Sequence, residues 1–480
     1  MNIAVICRIL GLSLEVEGAF MLPALGIGLY KGEWGGVAGL SATMAALLLC
    51  GLILRRIPVK RSEFYAREGL VTVGLTWVVL SIFGGLPFFI SRDIPSFVDC
   101  FFETVSGFIT TGASIIPAVE ALPKSLLYWR SFTNWLGGMG VLVFVLAVSS
   151  FAENSGDTLY LLRAESPGIK VGKLVPRMRK SSTILYAIYF GLSLAEFILL
   201  VIDMPVFDAL CTVFATGGTG GFSVRNAGIA AYSVYSQRVI TLFMLLFSVN
   251  FSVYYLLLLR KLRVALHNEE LWAFVGIYVF STLVIAADIT KLMGSFATAL
   301  HHSAFTVSSI ISTTGFAISD FDTWPWLSKT MLVFIMFIGA CAGSTGGGIK
   351  VVRALLAFKI IRRGTRRAIH PQEVRMVHMD GEAVEEETVD SVSAFLLVYV
   401  MLFVGAVLLL SLDHLDFTTT FSAVAACLNN IGPALGKAGP MLNYNCFSQP
   451  SKVLLSFAML FGRLEVYPML VLFVPAAWKK

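Results

Sequence analysis

Residues 216–223 read TGGTGGFS, four glycines in eight residues, directly after the apolar run PVFDALCTVFA. A glycine inside a helix costs roughly 0.5–1 kcal/mol relative to alanine, because its backbone has more freedom to lose. A chain that concentrates glycine beside a membrane-like run wants bare, bendable backbone there rather than another helical turn. What that backbone is for depends on where else it occurs.

The setting is a membrane. Of 480 residues, 57% are hydrophobic and only 14% charged, against about 25% charged in soluble domains. Mean hydropathy is +0.80. Crossing the hydrocarbon core takes about 20 apolar residues. Segments near 34–54, 69–90, 132–151, 182–203, 239–259, 271–289, 329–349, 392–412 and 453–475 meet that test. A stretch at about 3–28, interrupted by Arg8, Glu15 and Glu17, is expected to make a tenth span. No short apolar core followed by a small-residue cleavage site marks a signal peptide. The seven cysteines (7, 50, 100, 211, 341, 427 and 446) are odd in number and lack metal-ligand spacing, which reads as packing.

Orientation follows from the basic residues. Segments 55–67, 163–180, 260–263 and 350–375 hold five, six, three and eight of the 36 Lys and Arg, and alternate with connections that hold few. Lys and Arg stay on the cytoplasmic side, so both termini are expected inside. The net charge of +6 is then a topology signal. The basic residues flank spans and are not interleaved with stacking aromatics, which excludes a nucleic-acid partner.

TGGTGGFS belongs to a repeat. Four moderately apolar stretches end in a glycine-bearing loop: SFVDCFFETVSGFITTGASI (96–115), PVFDALCTVFATGGTGGFSV (205–224), HHSAFTVSSIISTTGFAISD (301–320) and DFTTTFSAVAACLNNIGPALG (416–436). Each is too short to span. Aligned on their loops they bring Gly112, Gly221, Gly315 and Gly432 into register, at intervals of 109, 94 and 117 residues. The expected unit is helix, re-entrant half-helix, loop, helix, four times over.

Non-helical backbone at membrane depth persists only where it is buried in protein or lines a wet cavity. Four such loops can converge on one pseudo-fourfold axis, and a glycine in each permits φ > 0, so that successive carbonyls face inward. Rings of backbone carbonyls replace the hydration shell of potassium. The C-terminal end of each half-helix adds about half a negative charge. TGGTGGFS is then one quarter of an ion selectivity filter. Its expected potassium-binding positions are Thr110, Thr111, Gly112, Thr219, Gly220, Gly221, Thr313, Thr314, Gly315, Asn430, Ile431 and Gly432. A lone TTG or GG is an ordinary turn or packing contact; the weight lies in four recurrences with the same flanks. Asp99 and Asp208, near the outer starts of the first two half-helices, either cap the positive helix ends or draw cations to the mouth. NNIGP in the fourth loop departs from the Thr-rich pattern, so the filter is not truly fourfold symmetric.

The whole chain resembles the TrkH family, the membrane subunits of bacterial Trk potassium-uptake systems, in the superfamily that includes KtrB and the plant HKT transporters. The resemblance rests on WRSFTNWLGGMGVLVF (129–144), the four loops, CAGSTGGGIK (341–350) and FGRLEVYP (461–468). The extra N-terminal helix pair favours TrkH over KtrB. The resemblance implies a homodimer with one pore per protomer, and potassium, with rubidium, as permeant. Some sodium-preferring HKT relatives carry serine at the first filter position, so Gly112 argues for potassium. It further implies a cytosolic TrkA-like ring of RCK domains that binds NAD or adenine nucleotides; no cofactor is expected in this chain itself.

ACAGSTGGGIKVVR (340–353) interrupts the span that begins near 329. It superficially resembles a phosphate-binding loop, but Ile349 separates the lysine from the last glycine, no Ser or Thr follows, and no strand precedes. A passive kink and a gate beneath the filter are the remaining readings. The gate is favoured, and the matching segment of TrkH-like proteins is an intramembrane loop with that role. Its residues are Gly343, Ser344, Thr345, Gly346, Gly347, Gly348 and Lys350; the Lys350 ammonium either nears the ion path or snorkels to the inner surface. Arg463 stands in the otherwise apolar last span, two residues before Glu465. A charge at that depth costs at least about 2.5–3.5 kcal/mol. Spacing i, i+2 does not put both side chains on one helix face, so a partner other than Glu465 is expected. TrkH-like proteins carry an arginine matching Arg463, which favours a cation under the filter. His301 and His302 lack metal-ligand neighbours in sequence and read as surface or capping residues. The polar stretch 357–390, continuous with the gate-bearing helix, is the natural contact for the cytosolic ring.

Two rival classes are the ion-translocating subunit of an ATP-driven pump of the KdpA kind, which shares the four-unit design, and an intramembrane enzyme. No span carries paired His or Asp at helical spacing, and no Ser or Cys has a partner base, so an enzyme is not expected. A sodium-permeable relative is the other alternative. The expected fold is an all-α polytopic membrane protein with four pseudo-symmetric helix–pore loop–helix units around one pore. A two-helix extension fills 1–58. The units are 59–180 (loop 110–114), 181–265 (loop 219–223), 266–385 (loops 313–317 and 341–350) and 386–480 (loop 430–434). The expected location is the bacterial inner membrane.

Overall fold

The computed structural model describes residues 1–58, 65–138, 140, 178–372 and 376–478. The basic segment 163–180 and the inner part of the expected span 132–151 lie largely outside them. Among the described residues the protein is all-α apart from one antiparallel hairpin, His378–Met379 with Glu382–Ala383. Trp34–Arg55, Ala66–Ile90, Thr183–Leu200, Glu269–Met293 and Glu386–Asp413 are long and apolar enough to cross a bilayer. Their sequences are apolar on all faces because one side meets protein and the other lipid.

The four re-entrant stretches are helices at Phe97–Phe108, Val206–Gly217, Phe296–Ile311 and Phe417–Leu428, of 12, 12, 16 and 12 residues. Twelve residues rise ~18 Å at 1.5 Å each, well short of a ~30 Å hydrocarbon core. Ser96 caps the first, accepting the Asp99 amide at 3.4 Å, and Asp416 caps the fourth, accepting the Thr419 amide at 2.9 Å. The Asp99 carboxylate receives Lys452 at 2.8 Å. That of Asp208 receives Tyr232 at 2.9 Å and Arg225 at 3.0 Å. Both acids therefore sit in the first helical turn, where the dipole favours them, with cationic partners already in place.

Several expected spans are not continuous helices. The segment 239–259 is two helices, Val234–Ser248 and Phe251–Leu258, at 90°; Asn250 starts the second by accepting the Ser252 amide at 2.8 Å. The segment 329–349 ends at Ile338, passes through a loop, and resumes as Val351–Ile369. The segment 453–475 divides into Gln449–Arg463 and Tyr467–Phe473, with Glu465 and Val466 both at positive φ. Pro468 suits the restart, since it lacks an amide and stands in the first turn of the second helix, where none is needed. The stretch 3–28 is likewise two helices, Ile3–Phe20 and Leu22–Lys31, the second with Pro in its first turn.

The interruptions meet each other. Cys341 N donates to Ser248 O at 3.1 Å, Phe251 N to Gly343 O at 3.0 Å, and Arg353 pairs with Glu465. The breaks at 249–250 and 339–350 thus spend freed backbone groups on one another, as a buried backbone must, and the break at 464–466 joins them through a side-chain ion pair.

Candidate functional site

The site is assembled by four copies of one helix ending. In each half-helix the last amides bond back in an i→i−3 and i→i−5 pair. Thr110 N reaches Gly107 O at 3.0 Å and Thr111 N reaches Ser106 O at 2.8 Å. The same two bonds join Thr219 to Thr216 and Gly220 to Ala215, Thr313 to Ile310 and Thr314 to Ser309, and Asn430 to Cys427 and Ile431 to Ala426. This is the Schellman ending, which requires a left-handed residue at its first non-helical position. Thr110, Thr219, Thr313 and Asn430 occupy it, at φ 52°, 55°, 59° and 56°. For a β-branched residue that conformation is a genuine outlier and costs about 1–2 kcal/mol. Three strained threonines at matching positions are the kind of outlier that collects at functional sites.

Two residues on, the chain turns left-handed again at Gly112, Gly221, Gly315 and Gly432, with φ of 82°, 65°, 83° and 93°. These glycines lock the loops to one another. A Cβ on Gly112 would strike Gly220 O, one on Gly221 Thr314 O, one on Gly315 Ile431 O, and one on Gly432 Thr111 O. The contacts run from first loop to second, to third, to fourth and back to first. Only glycine permits so close an approach of backbone to backbone. Among the described residues, no hydrogen bond reaches the carbonyl oxygens of Thr110 to Gly112, Thr219 to Gly221, Thr313 to Gly315, Asn430 or Ile431; Gly432 O is the exception, bonded by Tyr444. Buried carbonyls are nearly always paired, so this ring of free acceptors is unsatisfied by protein. Every expected filter residue is therefore brought together.

Beneath the ring, on the side away from the half-helix starts, lies the loop 339–350. It is fastened from several directions. Thr345 O accepts Thr219 Oγ1 at 2.9 Å and Arg463 Nη1 at 2.5 Å. Gly347 N donates to Thr313 Oγ1 at 2.6 Å, so two of the strained threonines hold the loop by their hydroxyls. Gly347 also lies where a Cβ would come within 2.8 Å of Asn429 O. Thr345 Oγ1 bonds Phe247 O at 3.1 Å. Lys350 is buried and bonds Gly346 O; it does not snorkel to the surface. Arg463 also reaches Gly137 O at 3.1 Å and Gly138 O at 3.0 Å, tying the last broken helix to the first unit and to the loop. Glu465 is held by Arg353 instead, which agrees with the helix-face argument. His301 Nε2 pairs with Gln237 at 2.8 Å, away from this assembly.

The family model described as "TrkH: Cation transport protein" matches residues 40–480. The chain belongs to the TrkH family. It is 36% identical to the Trk system potassium uptake protein TrkH of Vibrio parahaemolyticus, covering 99% of each chain. It is 34% identical to the protein of that name in Escherichia coli K12, covering 100% of each. The crystal structure of the potassium transporter TrkH from Vibrio parahaemolyticus superposes with a TM-score of 0.88 over 100% of both chains, at 34% identity. The chain is accordingly a helical, multi-pass membrane transport protein and not an enzyme.

Four further elements have geometry that sequence reasoning passes over. Glu270, at the start of its helix, accepts the amides of Ala342 at 2.6 Å and Val352 at 3.2 Å, clamping both ends of the loop. Arg130 bonds Glu103 at 2.7 Å and Ser223 O at 3.0 Å, and lies 3.6 Å from the Phe222 ring centroid. A buried pair of this kind persists only with its remaining hydrogen bonds met; Glu103 meets them on Ser114 and the Ile115 amide, both at 2.9 Å. Asn250 sets the 90° bend. Tyr444 reaches the ring itself. A lone charge in an apolar run was the available signal for Glu103 and Arg130; Glu270, beside Glu269 in HNEEL, and Asn250 and Tyr444 carried none.

Proposed function

We propose that this protein passes potassium, and rubidium, selectively across the bacterial inner membrane for potassium uptake, with both termini cytoplasmic. The observation that carries the proposal is the closed ring of four glycine turns whose carbonyls, Gly432 O apart, accept nothing from the described residues. An ion entering that ring exchanges its water shell for carbonyl oxygens, supplied by Thr110 to Gly112, Thr219 to Gly221, Thr313 to Gly315 and Asn430 to Gly432. The negative ends of four half-helices add to the attraction. The extension 1–58 and the four units beginning at 59, 181, 266 and 386 form the frame. Relatives named as potassium uptake proteins support potassium as the permeant.

The loop 341–350 is the gate. Its hydrogen bonds to Thr219, Thr313 and Arg463 place polar backbone across the inner end of the ring, and Arg463 adds a cation there. Opening requires those bonds to break together. The helix Val351–Ile369 continues the loop into the cytosol, where Arg362, Arg366 and Arg367 stand beside exposed Phe358, Ile361 and Ile369, and Arg363 pairs with Glu386 at 2.6 Å. Lys359 joins the same helix to Glu269 and to the hairpin at His378. A TrkA-like RCK ring carrying NAD or adenine nucleotide grips this helix and pulls on 343–348; the functional unit is a homodimer. Alanine at Arg362, Arg363, Arg366 and Arg367 weakens ring binding by at least tenfold at physiological salt, read by surface plasmon resonance; unchanged affinity rejects this contact.

The direct test is cation-driven flux into liposomes holding the purified protein. Potassium and rubidium pass while sodium and lithium pass poorly. Equal passage of all four removes the selective filter and leaves the sodium-permeable alternative.

A further inference from the structure

One carbonyl of the ring is not free. Tyr444, fully buried on the segment that follows the fourth loop, donates its hydroxyl to Gly432 O at 2.6 Å. The residue is fixed on every side. Its amide donates to Ser114 O at 2.8 Å, which ties it to the segment after the first loop. Its ring packs on Phe102 and Phe447, each at 5.6 Å between centroids. The first three loops have no counterpart: among the described residues, Gly112 O, Gly221 O and Gly315 O receive no donor. The Gly432 carbonyl thus faces a hydroxyl that the other three glycines do not have.

We infer that Tyr444 is a selectivity-determining positioning residue, whose hydroxyl restrains and partly neutralises the fourth glycine carbonyl so that the ring resists contracting onto a small cation. This rests on the filter reading above. A carbonyl that shares its lone pairs with a hydroxyl presents a weaker residual field to an ion. It is also tethered to a buried, packed side chain. Both effects act in one direction. Sodium, the smaller ion, gains most when an oxygen is strong and can close in, because the attraction scales inversely with distance. Potassium fills the ring without requiring that movement. Deleting one hydroxyl therefore favours sodium.

The test compares Tyr444→Phe, which keeps the ring stack and removes only the oxygen, with Tyr444→Leu, which removes both. Potassium and sodium flux into liposomes is measured for each. Tyr444→Phe is expected to lower the potassium-to-sodium preference by about 3-fold to 10-fold, the weight of one net hydrogen bond, with melting temperature and elution volume unchanged. A preference equal to that of the wild type overturns the inference. So does a loss seen in Tyr444→Leu but not in Tyr444→Phe, which assigns the effect to packing. Where a variant conducts too little to measure, its thermal stabilisation by potassium chloride over sodium chloride in detergent reads the same preference; an unaltered difference overturns the inference again. If the wild type itself shows no potassium preference in either measurement, the filter reading falls and this one with it.

Discussion

Replacing Arg463 with alanine raises potassium flux into liposomes by about 10-fold to 100-fold when no cytosolic partner is present. The guanidinium bonds Thr345 O on the loop 339–350 and Gly137 O and Gly138 O on the helix Lys124–Gly138, so it joins three elements with one side chain. A hydrogen bond to a charged group contributes about 1.5–3 kcal/mol, and each 1.4 kcal/mol is tenfold in an equilibrium. Losing the bond to Thr345 shifts the loop toward its open position by that factor. Losing the charge also removes a repulsion that an incoming cation meets at the inner end. Lysine at this position restores only part of the closure, because one ammonium cannot span the three carbonyls as a planar guanidinium does. Selectivity stays as in the wild type, since no ring atom is touched. Unchanged flux in the alanine variant contradicts the gate assignment.

The second large effect is at the ring. Gly112→Ser lowers the potassium-to-sodium preference by about tenfold, the effect of about 1.4 kcal/mol. Serine is strained at a φ of 82°, by about 1–2 kcal/mol, and its Cβ meets Gly220 O. The first and second loops must separate to admit it, which opens one quarter of the ring. The control is Gly191→Ala, at a helix position with nothing within 4 Å of an added Cβ, which leaves preference unchanged. Comparing relative permeability in the two variants separates a filter effect from a general effect of adding bulk to a membrane protein.

The parts of the architecture visible in the sequence were those with a compositional signature at short range. A half-helix of 12 to 16 residues followed by Thr-Thr-Gly, Thr-Gly-Gly or Asn-Ile-Gly is a local event, so the four loops and their glycine register could be found without coordinates. The loop 341–350 was visible for the same reason. The breaks at 249–250 and 464–466 were not, because apolar composition records that a segment is in the membrane and not whether its helix is continuous. Asn250 and Pro468 are ordinary residues until the neighbouring breaks supply partners for the freed backbone. The site lost detail on the same principle. The partners of Arg463 are carbonyl oxygens, which every residue owns, and Tyr444 reaches Gly432 through a hydroxyl donated from another segment. The strained Thr110, Thr219 and Thr313 were picked out for their position near glycine, while their left-handed backbone, and the grip of Thr219 and Thr313 on the loop, emerge only in three dimensions.

The proposed filter lies at one place, the ring of carbonyls of Thr111, Gly220, Thr314 and Ile431 and the glycines that follow them. Crystals grown in rubidium or thallium salts locate the permeant directly by anomalous scattering. Peaks are expected on the axis of that ring, coordinated by its carbonyl oxygens, with loss of the peak beside Gly112 in Gly112→Ser. An empty ring in the wild type, with ions ordered elsewhere in the same crystals, contradicts it.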